Sequence, residues 1–220
     1  MEPLPVQREE LRTTSAAFRQ WFLGSRVVDR RGMPLVVYHG TDSKGSLDWF
    51  TTDWRHDLGA HFGSAEQANA RIGCSPKAIA GMQRHGELSS DVTIAHREAR
   101  RLIRVYLSLK NPVRLPDMDD WNDPREWLHR LHQCPVRLRE AISQIALGDL
   151  ARWHNGDDFR TARDMKQYLE EDGYDGVIYM NRYEAPRARG SRRSFIAFYP
   201  EQIRSVFAAD RCPTILPIFW

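Results

Sequence analysis

The strand-like segments of this chain lie toward its two ends, and a long helical block separates them. Residues 123–172 have a helical pattern that is broken at Pro135 and near Asn155. Apolar runs and alternating patterns predict strands over residues 26–28, 34–38, 102–109, 176–180 and 195–199. Because strands and helices do not alternate regularly, this order predicts an α+β fold rather than a doubly wound parallel sheet.

Shorter helices and loops are expected outside that block. Residues 7–22 have an amphipathic pattern that ends at Gly24, and Ser64 has the side chain of an N-cap for a helix running to about Ile72. The remaining predictions are a helix over 91–101 and loops over 42–58 and 73–90.

Composition excludes several classes of protein. The 220 residues are 41% hydrophobic and 28% charged, which is ordinary for a globular chain able to bury a core. No apolar run approaches the ~20 residues that cross a bilayer, and no apolar signal segment is found. We therefore expect a single domain over residues 1–220, with a helical insertion at roughly 117–172, no membrane partner and a cytoplasmic location.

Metal and disulfide sites are not expected. The three cysteines, Cys74, Cys134 and Cys212, are widely spaced and form no CxxC pair. His129 and His132 are three residues apart on a predicted helix, but no paired ligands follow them. The motifs GxGxxG, GxxxxGK[ST], HExxH and GxSxG are all missing from the sequence, so the chemistry that each supports is not indicated.

The most specific segment is LVVYHGT, residues 35–41, in which a buried strand delivers Tyr38, His39 and Gly40 to its carboxyl end. A histidine there can hydrogen-bond a sugar hydroxyl. A glycine lets a planar amide approach the backbone closely. The alternative is a core histidine that precedes a turn glycine, and this segment alone leaves the two interpretations about equal.

Two further segments are weaker when taken singly. Residues 59–68, GAHFGSAEQA, predict a strand that runs into a helix N-terminus, an arrangement that suits an anion. Near the end of the chain, two predicted strands flank a loop that carries Asn181 and Glu184. A carboxylate at a loop edge is usually only solvated.

In this order, the segments resemble the ADP-ribosyltransferase superfamily, and most closely the bacterial and phage domains of toxins, effectors and polyvalent proteins. The resemblance spans roughly residues 18–207 and is carried by LVVYHGT, GAHFGSAEQA, VYLSLKNPVRLPD and DGVIYMNRYE…SFIAFYPEQIRS. It implies a split pair of antiparallel sheets with NAD, as substrate, in the cleft between them. The transfer would pass through an oxocarbenium-like state, as in glycoside hydrolysis.

The resemblance also implies roles for single residues. His39 would bind a ribose hydroxyl, Gly40 would hold the nicotinamide amide through its backbone, and Thr41 would support the pocket edge. His61 falls where related domains have a tyrosine that stacks on nicotinamide, and Phe62 would pack beneath. The expected cofactor-binding residues are Tyr38, His39, Gly40, Thr41, His61, Phe62 and Asn181.

The last motif departs from the polymerase members of the superfamily. Ser194 stands where those enzymes have a catalytic glutamate, and a serine cannot neutralise a cation. Glu184 is the best remaining carboxylate, Glu201 is its rival, and Asn181 would position Glu184 or the acceptor. The expected catalytic residues are Glu184, His39 and Ser194.

These expectations lead to three functional hypotheses. The first is a mono-ADP-ribosyltransferase, toxin-like or effector-like, that modifies a macromolecule and is paired with a cognate antitoxin or immunity protein. The second is an NAD glycohydrolase toxin, and the third is an inactive binding module. Arginines near the expected cleft suit a phosphate backbone, an acidic protein surface or simply a solvated loop, and of the possible acceptors we expect nucleic acid, RNA in particular. Those arginines are Arg182, Arg187, Arg189, Arg192 and Arg193, of which Arg182, Arg192 and Arg193 are the expected acceptor-binding residues.

Overall fold

Two β-sheets and a layer of helices form the part of the chain that can be described. The computed structural model describes residues 13–41, 50, 52, 56–71, 101–181 and 192–206. The strands are β1 (Val37–Thr41), β2 (Ala60–Phe62), β3 (Arg101–Leu107), β4 (Val113–Arg114), β5 (Gly176–Met180), β6 (Arg193–Ala197) and β7 (Ile203–Ser205). The helices are α1 (Ala16–Phe22), α2 (Ala65–Arg71), α3 (Pro124–Arg130), α4 (Arg139–His154) and α5 (Thr161–Glu171), with 3-10 turns at Leu131–Gln133, Val136–Leu138 and Pro200–Gln202.

The first sheet has the order β1-β3-β7 and the second the order β2-β6-β5-β4. All pairs are antiparallel except β4 and β5, which run parallel. The expectation of purely antiparallel sheets is therefore wrong for one pair, because residues 115–175 form a long helical crossover that returns the chain in the same direction. The sheets are linked where Tyr38 and Gly63 exchange two backbone hydrogen bonds, of 2.8 and 3.0 Å.

The second sheet is buried on both faces. Along β5, Val177 and Tyr179 point into a core shared with the helices, whereas Ile178 points into the core shared with the first sheet. Side chains alternate in the same way along β6, where Phe195 faces the first sheet and Ile196 faces the helices. This alternation puts the helices and the first sheet on opposite faces of the second sheet.

The helical layer follows the predicted pattern. Asp123 caps α3 through its side chain, with Pro124 at the first helical position. Pro135 lies between two 3-10 turns, and Asn155 ends α4, as the predicted breaks require. The buried carboxylate of Asp149 joins α4 to the start of α5. No helix among the described residues is both long and apolar enough to cross a bilayer.

Several strand boundaries differ from the predictions. The segment 26–28 forms only an isolated bridge, between Val28 and Pro34, because the Asp29 carboxylate accepts two backbone N–H groups and closes a tight turn after one pair. The strand predicted over 195–199 is Arg193–Ala197, since the chain turns into a 3-10 helix at Pro200. The strands predicted over 34–38 and 102–109 are Val37–Thr41 and Arg101–Leu107.

The predicted N-terminal helix is seen as Ala16–Phe22, which begins at the Ser15 cap. Residues 7–12 of that prediction lie outside the described residues, as do the 73–90 loop and residues 91–100.

Candidate active site

A cavity of about 400 Å³ lies beside the link between the two sheets. Strands β1, β2, β5 and β6 and helix α2 all contribute to its wall. The lining residues are Tyr38, His39, Gly40, His56, Asp57, residues 59–63, Gln67, Ala68, Arg71, Tyr179 and Ser194. All three segments singled out in the sequence therefore meet at one cavity, in the size range of about 300–1,000 Å³ typical of small-molecule pockets.

His39 is held in a defined orientation in this wall. Its Nδ1 lies 2.8 Å from the backbone oxygen of His61. Because a carbonyl oxygen only accepts, Nδ1 carries the proton and Nε2 remains an acceptor. Burial among groups that include the rings of Phe50 and Phe62 lowers the pKa of His39 below its ordinary value of 6.5. The site thus holds a neutral imidazole that can accept a hydrogen bond from a hydroxyl.

His61 is bonded through both of its ring nitrogens. Nε2 lies 2.7 Å from Asp57 Oδ1, and Nδ1 lies 3.0 Å from Tyr179 Oη. Asp57 Oδ1 also accepts the Leu58 N–H at 2.8 Å. The side chains of His61 and Asp57 are 25% and 24% exposed. We call this group the Asp57–His61–Tyr179 triad, and it connects the loop before β2 to strand β5.

Helix α2 begins at the cap predicted for it. Gln67 Oε1 accepts the Ser64 N–H at 2.7 Å, and Ser64 Oγ accepts the Gln67 N–H at 3.2 Å, which is a capping box. These bonds occupy two of the donors that an anion at this terminus would use. Gly63 permits this packing, because a Cβ there would lie 2.6 Å from Gln67 Oε1 and 3.0 Å from Ser194 Oγ.

A second cavity, of about 460 Å³, adjoins the first. Its wall includes a segment of the helical crossover that begins at Asp117 and ends at Trp121. The Trp121 ring packs edge-on against those of Tyr179 and His61, with centroids 5.4 and 6.1 Å apart. The residues shared by both cavities are His56, Asp57, His61, Arg71 and Tyr179.

The sequence-predicted residues fall into three groups. Tyr38, His39, Gly40, His61, Phe62 and Ser194 line the first cavity, and Asn181 lines the second. Thr41, Arg192, Arg193 and Glu201 are described but line neither cavity. Glu184 and Arg182 lie outside the described residues.

Ser194, Arg193 and Phe62 are each buried or bonded within the protein. Ser194 is 2% exposed and is the register partner of Tyr179. The Arg193 guanidinium donates to the Val28 backbone oxygen at 3.1 Å, so part of it is held by the protein itself. Phe62 is 2% exposed and packs in the core between the sheets.

Sequence reasoning missed several residues of the two walls. Asp57 and His56 fell in a segment predicted only as a loop, and Trp121 was assigned to the helical insertion. Tyr179 could have been found from the strand pattern. Alternation places Tyr179 and Val177 on the same face of β5. Val177 pairs with Ile196, which in turn pairs with His61, so Tyr179 and His61 share that face of the sheet. Within the ranges that the structure describes, no group of three or more His, Cys, Asp or Glu side chains could hold a metal ion.

Comparison with known protein families shows to which family the chain belongs. A family described as "ADP-Ribosyltransferase in polyvalent proteins" matches residues 29–211, which include every residue of both cavities. The chain belongs to this ADP-ribosyltransferase family. No curated protein and no solved structure gave a significant match to the sequence. Three of the four segments that carried the resemblance contribute residues to the first cavity, and the fourth, residues 105–117, contributes Asp117 to the second.

Proposed function

We propose that this ADP-ribosyltransferase domain transfers ADP-ribose from NAD to a macromolecular acceptor. The observation that carries the proposal is His39, which is neutral, fixed by its bond to the His61 backbone and part of a 400 Å³ cavity wall. An imidazole in this state presents Nε2 as an acceptor for a ribose hydroxyl. NAD would supply the ADP-ribose group, whose bond to nicotinamide breaks with cationic character developing on the ribose.

The residues around His39 fit such a substrate. Gly40 lines the same cavity and offers backbone groups to a carboxamide. The Phe62 ring packs against the His39 ring at a centroid distance of 5.5 Å. The buried Ser194 contributes a neutral hydroxyl, so stabilisation of a developing cation has to come from carboxylates. We assign that role to Glu184, which follows β5 by four residues in the sequence.

The charges of the second cavity bear on the acceptor. Among the residues that the structure describes, four carboxylates and the guanidinium of Arg71 contribute to its wall, and the carboxylates belong to Asp57, Asp117, Asp119 and Asp120. Such an opening repels phosphate groups and attracts neutral or cationic side chains. We therefore favour a protein side chain over the RNA that the arginines suggested. A toxin or effector role with a cognate antitoxin or immunity protein remains part of the proposal and rests on the family alone.

Labelled NAD tests the proposal directly. We would incubate the purified protein with NAD labelled in its adenylate part, alone and with total RNA, DNA or lysate proteins. We expect label on the protein fraction, and we expect His39→Ala and Glu184→Gln to remove it. His132→Ala is the matched control, since His132 is exposed on the helical layer and lines neither cavity. Transfer that survives both site variants would contradict the proposal.

The other outcomes separate the alternatives. Label on RNA would confirm transfer and overturn our choice of acceptor. Free ADP-ribose as the sole product with every fraction would indicate an NAD glycohydrolase. Folded protein that consumes no NAD and binds a partner in a salt-sensitive manner would indicate a binding module.

A further inference from the structure

The Asp57–His61–Tyr179 triad lies in the wall that the two cavities share. We propose that the triad is a proton relay, which removes the proton of the acceptor nucleophile as that nucleophile attacks the ribose. The proposal deepens the proposed function and rests on it, with the first cavity holding the ADP-ribose donor and the second admitting the acceptor.

The hydrogen-bond pattern fixes the direction of the relay. Ionised Asp57 can only accept, so the 2.7 Å bond places a proton on His61 Nε2. In the neutral imidazole, Nδ1 is then the acceptor, and the Tyr179 hydroxyl donates to it across 3.0 Å. A phenol oxygen whose hydrogen is donated in this way still has lone pairs that accept a proton. The terminal group of the relay is therefore Oη of Tyr179, a residue that lines both cavities.

The proposed step balances as follows. A lone pair of the acceptor forms the bond to the ribose anomeric carbon, and the electron pair of the bond from that carbon to nicotinamide leaves with nicotinamide. The acceptor proton moves to Tyr179 Oη while the Tyr179 hydrogen moves to His61 Nδ1. The step leaves an imidazolium bonded to the Asp57 carboxylate, an ion pair that stabilises the new charge.

Charged and titratable side chains surround His61. Among the described residues, the groups that face it or share its cavities are Asp57 from the loop before β2, Tyr38 and His39 from β1, Arg71 from α2, Tyr179 from β5, and His56, Asp117, Asp119 and Asp120 from the loop segments. Among the described residues of the two walls there are four carboxylates and one guanidinium, and burial lowers the pKa of His39. The Asp57 carboxylate accepts the hydrogen bond from His61 Nε2 and would form an ion pair with the imidazolium that the relay produces.

Paired nucleophiles distinguish a relay from a structural contact. Methanol has a proton to lose when it attacks the ribose, whereas azide is an anion and needs no base. We would measure 1-O-methyl-ADP-ribose and azido-ADP-ribose formed from NAD by the wild-type protein, Tyr179→Phe and Asp57→Asn. Tyr168→Phe is the matched control, because Tyr168 lies on α5 and lines neither cavity. NAD affinity is measured for each protein by calorimetry.

We expect Tyr179→Phe to lower the methanol product by about 100-fold, the lower end of the contribution of general-base catalysis. The azide product and the NAD affinity should stay within about 2-fold of wild type, as should every readout of Tyr168→Phe. Asp57→Asn should lower the methanol product selectively as well, which keeps the test valid if Tyr179→Phe fails to fold.

Three results would overturn the relay. Equal losses of both products in Tyr179→Phe would make the tyrosine a structural contact, and unchanged products would leave the proposed function standing without the relay. A wild-type protein that neither binds NAD nor releases nicotinamide would overturn the proposed function itself, which calorimetry distinguishes from the other two results.

Discussion

Two aspartates of this molecule each accept several hydrogen bonds but lie in different surroundings. Asp149, in the helical layer, is fully buried and accepts from the Arg152 guanidinium at 2.7 Å, the Arg160 N–H at 2.9 Å and the Thr161 hydroxyl. Asp57, at the junction of the sheets, accepts from His61 and a backbone N–H but is 24% exposed beside two cavities.

The difference separates a region that holds the fold from the region to which we assign the chemistry. Every partner of Asp149 comes from α4, α5 or their connection, so its charge is compensated inside the layer. Arg152 extends this network to Asp164 at 2.6 Å. The partner of Asp57 is an imidazole that can change its protonation state, and solvent or a ligand can reach the pair. The buried and fully paired network of Asp149 resists a change of protonation, whereas the partly exposed pair of Asp57 and His61 permits proton transfer.

Asp149→Ala should have the largest effect on stability. The substitution leaves the Arg160 N–H and the buried Thr161 hydroxyl without their acceptor, and this costs about 1–3 kcal/mol of unfolding free energy for each donor left unpaired, while Arg152 keeps its bond to Asp164. Asp57→Ala should cost less than about 1 kcal/mol, because exposed pairs contribute little. Urea unfolding followed by circular dichroism would measure both. Equal destabilisation by the two substitutions would remove the distinction between the regions.

Alanine substitutions at two glycines compare the packing at the sheet junction with that in the helical layer. Gly63→Ala should lower the unfolding free energy by about 1–3 kcal/mol, since its Cβ would lie 2.6 Å from Gln67 Oε1 and the surrounding cap would have to shift. Gly148→Ala is the control, because Gly148 lies on α4 with no atom within 4 Å of its added Cβ. It should raise stability by about 0.5–1 kcal/mol. Thermal unfolding gives both values, and a gain for Gly63→Ala would contradict the close packing at the junction.

Much of the fold could be predicted, because local rules determine it. Pro135 and Asn155 predicted the breaks between the helices of the helical layer, and the prediction of Ser64 as a helix cap is confirmed. The strand over 26–28 was predicted too long, since the Asp29 carboxylate closes the turn and competes with further pairing. The parallel β4–β5 pair could not be predicted, because pairing direction depends on where a 61-residue crossover, residues 115–175, returns to the sheet.

The candidate site was predictable only where one segment carried the signal. Tyr38, His39 and Gly40 follow one another along β1, so a single motif identified them. Asp57 and Trp121 reach the wall from different parts of the chain, and no local pattern connects them to His61. The roles of Glu184 and of the arginines between 182 and 191 stay predictions, because these residues lie outside the described structure.

The smallest expected effect is the pH dependence of stability at Asp123 and His39, whose pKa values are both lowered in the folded protein. The hydrogen bond from Arg125 holds the pKa of Asp123 below its ordinary 3.8, whereas burial holds that of His39 below 6.5. Both folded forms bind fewer protons than the unfolded chain, so acid destabilises both, but in different windows. The stabilisation by Asp123 is complete above pH 3.8 and is lost as the pH falls through its folded pKa. The penalty at His39 begins as the pH falls below 6.5.

Asp123→Ala should therefore cost about 1 kcal/mol, the value of an N-cap, and this cost should stay constant from pH 7 to pH 5. His39→Gln should instead gain stability relative to wild type across that interval, because it removes a group that resists protonation only when folded. Urea unfolding at several pH values would measure both differences. A pH-dependent cost for Asp123→Ala above pH 5 would contradict the lowered pKa of Asp123, and a difference for His39→Gln that does not change with pH would mean that burial does not control the charge of His39.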